Sequence, residues 1–244
     1  MKYKYTSLSK IGLKRSINED SIGVFELPDG LLIIVCDGLG GNKAGEVASS
    51  LSVESIHSNF ISLDGQNYLE RIKFSILKAN ELLTVRSSNN SNLSGMATTV
   101  EVLFLTEGTA YWGHVGDSRI YFLKNGILRQ ITKDHSLVQK LVDEGYLSLK
   151  EAKNHPNRNV IMRALGDNGK VEIDLSKQSF LPNDKAKFFV CTDGVTCVIS
   201  DSEIQNFLNE KTLSLSSELL SKVIEERGAP DNFSYVIIDV STEI

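Results

Sequence analysis

Residues 31–41, Leu-Leu-Ile-Ile-Val-Cys-Asp-Gly-Leu-Gly-Gly, constrain the fold more than any other part of the chain. The six apolar residues 31–36 fit a strand buried on both faces, bounded by the turn residues Pro28, Asp29 and Gly30. The run ends on Asp37, a charge expected at the strand's end, where water or a cation can meet it. Gly38, Gly40 and Gly41 then allow a sharp turn and a close backbone approach to a bound ion or phosphate. Taken alone, the segment is equally well a strand followed by an Asp-Gly turn. The remainder of the chain decides between the two.

Residues 2–8 form a short polar segment suited to an edge strand, and residues 12–20 have loop composition containing Arg15, Glu19 and Asp20. Residues 21–27 alternate moderately and pair with 31–36 as a hairpin. Helical spacing of apolar residues marks 44–60 and 68–86, with a Ser/Asn loop at 87–94. Strand patterns follow at 98–105, 109–115, 119–123 and 127–131, the last two flanking an Asn125-Gly126 hairpin signal. A short helix at 136–144 is capped by Ser136 and stopped by Gly145, and the polar stretch 146–159 reads as a short helix plus a projecting loop. Strands at 171–180 and 187–191, helices at 202–209 and 215–227, and a strand at 233–240 complete the chain. Strands in hairpin-like runs, with helices in pairs between and after them, predict an α+β fold of antiparallel sheets with helices packed outside. No repeat or linker divides the chain, so all 244 residues are expected to form one domain.

Charge and cysteine usage narrow the function classes. A net charge of -5 with no basic block disfavours nucleic acid as a partner. Cys36, Cys191 and Cys197 cannot all pair, and two lie in apolar runs, which fits a reducing cytoplasm. The start is basic but has no apolar core behind it, so no signal peptide is expected; no run reaches the roughly 20 apolar residues needed to cross a bilayer.

Three further acidic turns repeat the logic of Asp37: Gly116-Asp117-Ser118 between two strands, Asp193-Gly194 after a second apolar strand, and Pro230-Asp231-Asn232 before the last. Four such carboxylates brought together would repel one another unless a cation sat between them. With carboxylates and a backbone carbonyl as candidate ligands, and no His- or Cys-rich spacing, the chemistry favours Mg²⁺ or Mn²⁺ over zinc. Carboxylates bridging two such ions about 4 Å apart suit phosphate-ester hydrolysis by an activated water. Arg15 completes the pattern, because its guanidinium fork matches phosphate oxygens.

The ordered motifs Arg15-Ser-Ile-Asn-Glu-Asp20, Asp37-Gly-Leu-Gly-Gly41, Gly95-Met-Ala-Thr-Thr99, Val115-Gly-Asp-Ser-Arg119, Thr132-Lys-Asp-His-Ser136, Arg163-Ala-Leu-Gly166, Thr192-Asp-Gly194 and Gly228-Ala-Pro-Asp-Asn232 resemble those of metal-dependent protein phosphatases of type 2C, compact bacterial branch. The resemblance covers nearly the whole chain. It implies a central sandwich of two antiparallel sheets flanked by helices, a four-layer αββα arrangement, with a binuclear Mn²⁺ or Mg²⁺ site at one end. It implies hydrolysis of phosphoserine and phosphothreonine in phosphorylated proteins that are substrates of a serine/threonine kinase; the chain is expected to be cytoplasmic and a monomer. Position by position, Asp37 resembles the bridging carboxylate and the Gly38 carbonyl a ligand of one ion. Asp193 and Asp231 resemble ligands of the other, and Glu19 an acid reaching an ion directly or through water. Asp20 and Asn232 resemble supporting residues, Arg15 the phosphate-binding arginine, and Asp117 a ligand of a weaker third ion. Residues 137–159 resemble the mobile flap beside the site.

Three positions depart from that pattern. Leu39 stands where some relatives carry a histidine proposed as general acid, so proton delivery would fall to water. Cys197 replaces an acid that many relatives use together with the Asp117 equivalent, so the third ion is expected to be weak or absent. Ser234 for threonine is a mild change. His114 and His135 read as hydrogen-bonded structural residues, and Cys36 and Cys191 as small core residues. The competing reading is a catalytically weak pseudo-phosphatase that binds a phosphorylated regulatory partner. Loss of Asp37, Asp193 or Asp231 would have favoured it, and all three are present.

Overall fold

A computed structural model describes residues 3–39, 44–63, 65, 67–167, 170–181 and 184–240. Its two sheets are antiparallel throughout. The first joins β1 (Lys4–Lys10), β11 (Phe233–Asp239), β10 (Ala186–Cys191), β7 (Arg119–Lys124) and β8 (Ile127–Gln130), in that order. The second joins β2 (Asp20–Leu27), β3 (Gly30–Leu39), β5 (Val100–Thr106), β6 (Thr109–Val115) and β9 (Asp174–Ser179), with the two-residue β4 (Ala97–Thr98) attached to the end of β3. As the sequence predicts, β1 is an edge strand and Asn125 and Gly126 turn the β7–β8 hairpin with positive φ, 51° and 82°.

Three apolar seams stack four layers. Helices α1 (Ala44–Ser62) and α2 (Tyr68–Asn89) cover one face of the second sheet through Ile56, Phe60, Ile72 and Ile76 against Leu32, Ile34, Val102 and Phe104. The opposite faces of the two sheets meet through Ile33, Val35 and Leu103 against Phe188, Val190 and Val236. Helices α6 (Asp201–Leu208) and α7 (Leu213–Glu226) close the far side over Phe189, Tyr235 and Ile237. Continuous apolar runs in β3, β5 and β11 follow from this, since each strand is covered on both faces. Two short helices, α3 (Leu137–Asp143, capped by Ser136) and α4 (Leu149–Lys153, in a Ser148/Glu151 capping box), bury no residue and lie in the segment 137–159 expected to be the flap.

Three expectations change. β3 does not stop at Asp37: it runs on through Gly38 and Leu39, because Gly38 pairs with Thr98 and Leu39 with Ala97. The expected strand at 98–105 is split at Thr99, whose amide turns to the Asp37 carbonyl at 2.9 Å. A one-turn helix, α5 (Asp193–Thr196), follows β10 directly and carries Asp193 as its first residue. The expected glycine turn at Gly40 and Gly41 lies outside the described residues.

Candidate metal centre and active site

Strand register gathers the acids at one end of the sandwich. Asp20 opens β2 opposite Asp37. In the other sheet Cys191 pairs with both Arg119 and Tyr235, which brings the segments carrying Asp117, Asp193 and Asp231 side by side. Thr192 ties the two sheets together here: its hydroxyl donates to Asp20 Oδ2 at 2.9 Å and its amide to the Ser234 carbonyl at 3.0 Å.

The loop before β2 is fastened by Asn232. Its side-chain amide donates to the carbonyls of Ile11 (2.8 Å) and Ile17 (2.9 Å), and its Oδ1 accepts the Glu19 amide at 2.9 Å. With the loop fixed at three points, Arg15 reaches back and donates from Nη2 to Asp231 Oδ2 at 2.7 Å. The Glu19 carboxylate lies against the first turn of α1 and hydrogen-bonds the Gly45 backbone. Gly38 is tightly enclosed between these pieces: a Cβ there would lie 2.2 Å from the Gly45 carbonyl oxygen and 2.6 Å from that of Glu19.

Electrostatics give the cluster a preference for a cation. Burial, then the charges of Asp20, Asp193, Asp117 and Asp231, raise the Asp37 carboxyl well above the usual range. Asp193 is raised by burial and by Asp231, an effect opposed by a hydrogen bond shared with Asp37. Burial lifts Asp20 to about 7, with the Ser234 and Thr192 hydroxyls pulling the other way. Asp117 is lifted to about 8 by burial and by Asp193, and its buried Oδ1 has no hydrogen-bond partner among the described residues. Arg15 is raised chiefly by its bond to Asp231 and also by the charges of Glu19 and Asp37, so it faces all three acids.

Among the described residues, no three His, Cys, Asp or Glu side chains already surround one point as ligands of a single ion. The carboxylates bond one another and Arg15 instead, Asp37 with Asp193 and Asp231 with Arg15. The donor set nonetheless fits a divalent ion: oxygen ligands only, mutually repelling, with one buried carboxylate oxygen left unsatisfied. That is the chemistry of a hard cation site.

Several residues of the sequence motifs acquire a role only in the structure. Thr98 Oγ1 donates to the Asp37 carbonyl (2.8 Å), and Thr99 Oγ1 accepts the Asp37 amide (3.0 Å) while bonding Ser118 Oγ (2.8 Å). These hydroxyls hold the backbone of Asp37. Asp134 grips Arg119 with both carboxylate oxygens, at 2.9 Å from Nε and 2.6 Å from Nη2. The nearness of the Val115–Arg119 and Thr132–Ser136 motifs in sequence was the available signal. Cys197 is exposed; partial desolvation and the charges of Asp193 and Asp231 push its thiol up to about 12. It is therefore a neutral thiol beside the acids.

The two-sheet αββα sandwich matches solved serine/threonine phosphatases. The family model "Protein phosphatase 2C" matches residues 13–232. The chain belongs to that family and is a serine/threonine phosphatase. It is 35% identical over 234 residues to the serine/threonine phosphatase stp of Listeria monocytogenes, covering 93% of this chain and 92% of that protein. The catalytic domain of the serine/threonine protein phosphatase PstP in complex with two manganese ions superposes with a TM-score of 0.86 at 32% identity, covering 98% of this chain and 99% of that one. Stp1 from Staphylococcus aureus gives a TM-score of 0.91 at 29% identity, over 99% and 96% of the two chains.

Proposed function

We propose that this protein removes phosphate from phosphoserine and phosphothreonine in protein substrates, as a single catalytic domain working as a cytoplasmic monomer. The observation carrying the reading is the convergence of Asp20, Asp37, Asp117, Asp193 and Asp231 on one end of the sandwich, facing Arg15. PstP in complex with two manganese ions supports the metal requirement. Among the described residues, no helix is long and apolar enough to cross a membrane.

In this reading Asp37, the Gly38 carbonyl, Asp193 and Asp231 would hold two Mn²⁺ or Mg²⁺ ions, with Glu19 reaching an ion directly or through water. When bound, the ions supply Lewis acidity and offset the charge that builds on the phosphoryl oxygens as water attacks phosphorus. Arg15 moves from Asp231 to the substrate phosphate, where its fork donates two parallel hydrogen bonds. Asn232 and the Asp20–Thr192 bond keep the Arg15 loop and the strand ends in register. With Leu39 beside the site in place of an acid, the leaving serine or threonine oxygen takes its proton from solvent.

The test is phosphate release from a phosphothreonine peptide and from an aryl phosphate, with Mn²⁺ and with excess chelator. Metal-dependent release from the peptide is expected. Peptide binding without release would instead establish the pseudo-phosphatase. Release from the aryl phosphate alone would point to a small-molecule phosphatase.

A further inference from the structure

Glu101 and His114 are an unexpected pair for a sandwich core. They face each other across β5 and β6, both are fully buried, and His114 Nδ1 bonds Glu101 Oε1. The other carboxylate oxygen, Oε2, is buried without a hydrogen-bond partner among the described residues. An apolar pair would fill this space without leaving a polar atom unsatisfied, so the pair is not explained by packing.

The bonds that leave the pair run toward the site. His114 Nε2 donates to the Lys133 carbonyl at 2.8 Å, and the His114 ring lies 4.4 Å from that of His135. His135 is locked to the Asp117 turn twice: its amide donates to the Gly116 carbonyl (2.7 Å), and its Nδ1 accepts the Gly116 amide (3.1 Å). Its Nε2 lies 3.1 Å from Arg163 Nη1 and 3.3 Å from Asp174 Oδ2. The same residue roots the flap, because the Met162 amide donates to the His135 carbonyl at 2.7 Å and the Leu137 amide to the Val160 carbonyl at 2.9 Å. Gly116 has no slack to shift independently: at φ +120° it sits where a Cβ would lie 2.5 Å from the Thr99 methyl group.

We propose that Glu101–His114 is a positioning pair that holds residues 133–136, and through them the flap root, in a set place against the Gly116–Asp117 turn. Glu101 fixes the tautomer and orientation of the ring, as an outer carboxylate does for a ligating histidine. His114 then anchors the Lys133 carbonyl. Neither residue touches substrate. The consequence is for large substrates, which must fit between flap and metal centre, and not for small ones. This rests on the phosphatase reading for its kinetic arm alone.

The test compares His114→Leu, Glu101→Gln and the double variant Glu101→Leu/His114→Leu with the parent. Phosphopeptide and aryl phosphate are the substrates, and amide hydrogen exchange is followed in parallel. His114→Leu and the double variant are expected to raise the phosphopeptide KM about tenfold, while aryl phosphate kcat/KM stays within about twofold. Exchange at residues 133–136 and 160–163 should quicken, with β3 unchanged. Glu101→Gln keeps a hydrogen bond to His114 and is expected to hold the parent KM. The double variant removes the buried charge as well, so it keeps the test open if His114→Leu alone does not fold. Equal losses on both substrates, or a folded double variant with parental KM and exchange, would overturn the proposal. If the parent released no phosphate, the phosphatase reading would fail and the exchange data would decide this one.

Discussion

Arg15 and Asp231 hold each other at 2.7 Å, although one is assigned to phosphate and the other to a metal ion. A divalent cation on that carboxylate repels the guanidinium and draws off the charge that holds it. Cation binding at Asp231 should therefore release Arg15 toward the phosphate. Arg15→Ala is expected to bind Mn²⁺ more tightly, by a few fold, because exposed ion pairs of this kind contribute about 0.2–1 kcal/mol. The same variant should raise KM for phosphopeptide more than it lowers kcat. Titration calorimetry with Mn²⁺ and steady-state kinetics check the two halves; weaker Mn²⁺ binding in the variant would show that Arg15 helps to assemble the site.

Asp37 would serve both ions in the proposed site. Asp37→Asn should lower phosphate release by on the order of a hundredfold or more, and chelator should do the same to the parent. Undiminished activity in excess chelator would sink the two-metal mechanism.

The flap should move faster than the sheets. α3 and α4 bury no residue, and Tyr146 and Leu149 stand 73% and 68% exposed where a packed helix would cover them. Amides at 140–158 are expected to exchange well before those of β3. Equal protection in the two regions would contradict this.

Cys197 follows Asp193 by one helical turn and presents a thiol raised to about 12. A soft group that must first lose a proton is a poor ligand for Mg²⁺ or Mn²⁺. Cys197→Asp should create a partner for Asp117 and lower the Mn²⁺ concentration giving half-maximal activity. The prediction fails if that titration is unchanged while the parent already binds three ions.

Glu101 and His114 also set a pH dependence of stability. Burial raises Glu101 from 4.5 to about 7 against the opposing charge of His114. For His114, burial alone would lower the ring, but the charge and hydrogen bond of Glu101, with the Lys133 carbonyl and Asp134, bring it from 6.5 to about 8. Both groups therefore hold protons in the folded protein at pH values where the unfolded chain has lost them. Their protonation-linked stabilisation is complete below pH 4.5 and declines as pH rises, until it is lost above about 8. Urea midpoints of the parent should fall more steeply between pH 5 and about 9 than those of Glu101→Leu/His114→Leu. The other raised acids are common to both proteins and cancel in the comparison. Parallel curves would refute the assignment.

Local physics made much of this molecule readable from its residues. The 31–36 run, the Asn125-Gly126 turn and the Ser136 cap each act through neighbours a few positions away, so their outcome is contained in the local sequence. The acids were readable as a set because each lies beside a turn residue at the edge of a strand pattern in the sequence. Tertiary pairing alone decided the rest. β3 continues past Asp37 because β4, some sixty residues later, supplies the ladder. Asn232 closes the Arg15 loop across a separation of more than two hundred residues. Glu101, lying inside an apolar strand, has no meaning until β6 sets His114 opposite it. Each depends on which distant backbone comes alongside, and that is decided by the packing of whole sheets and not by any one segment.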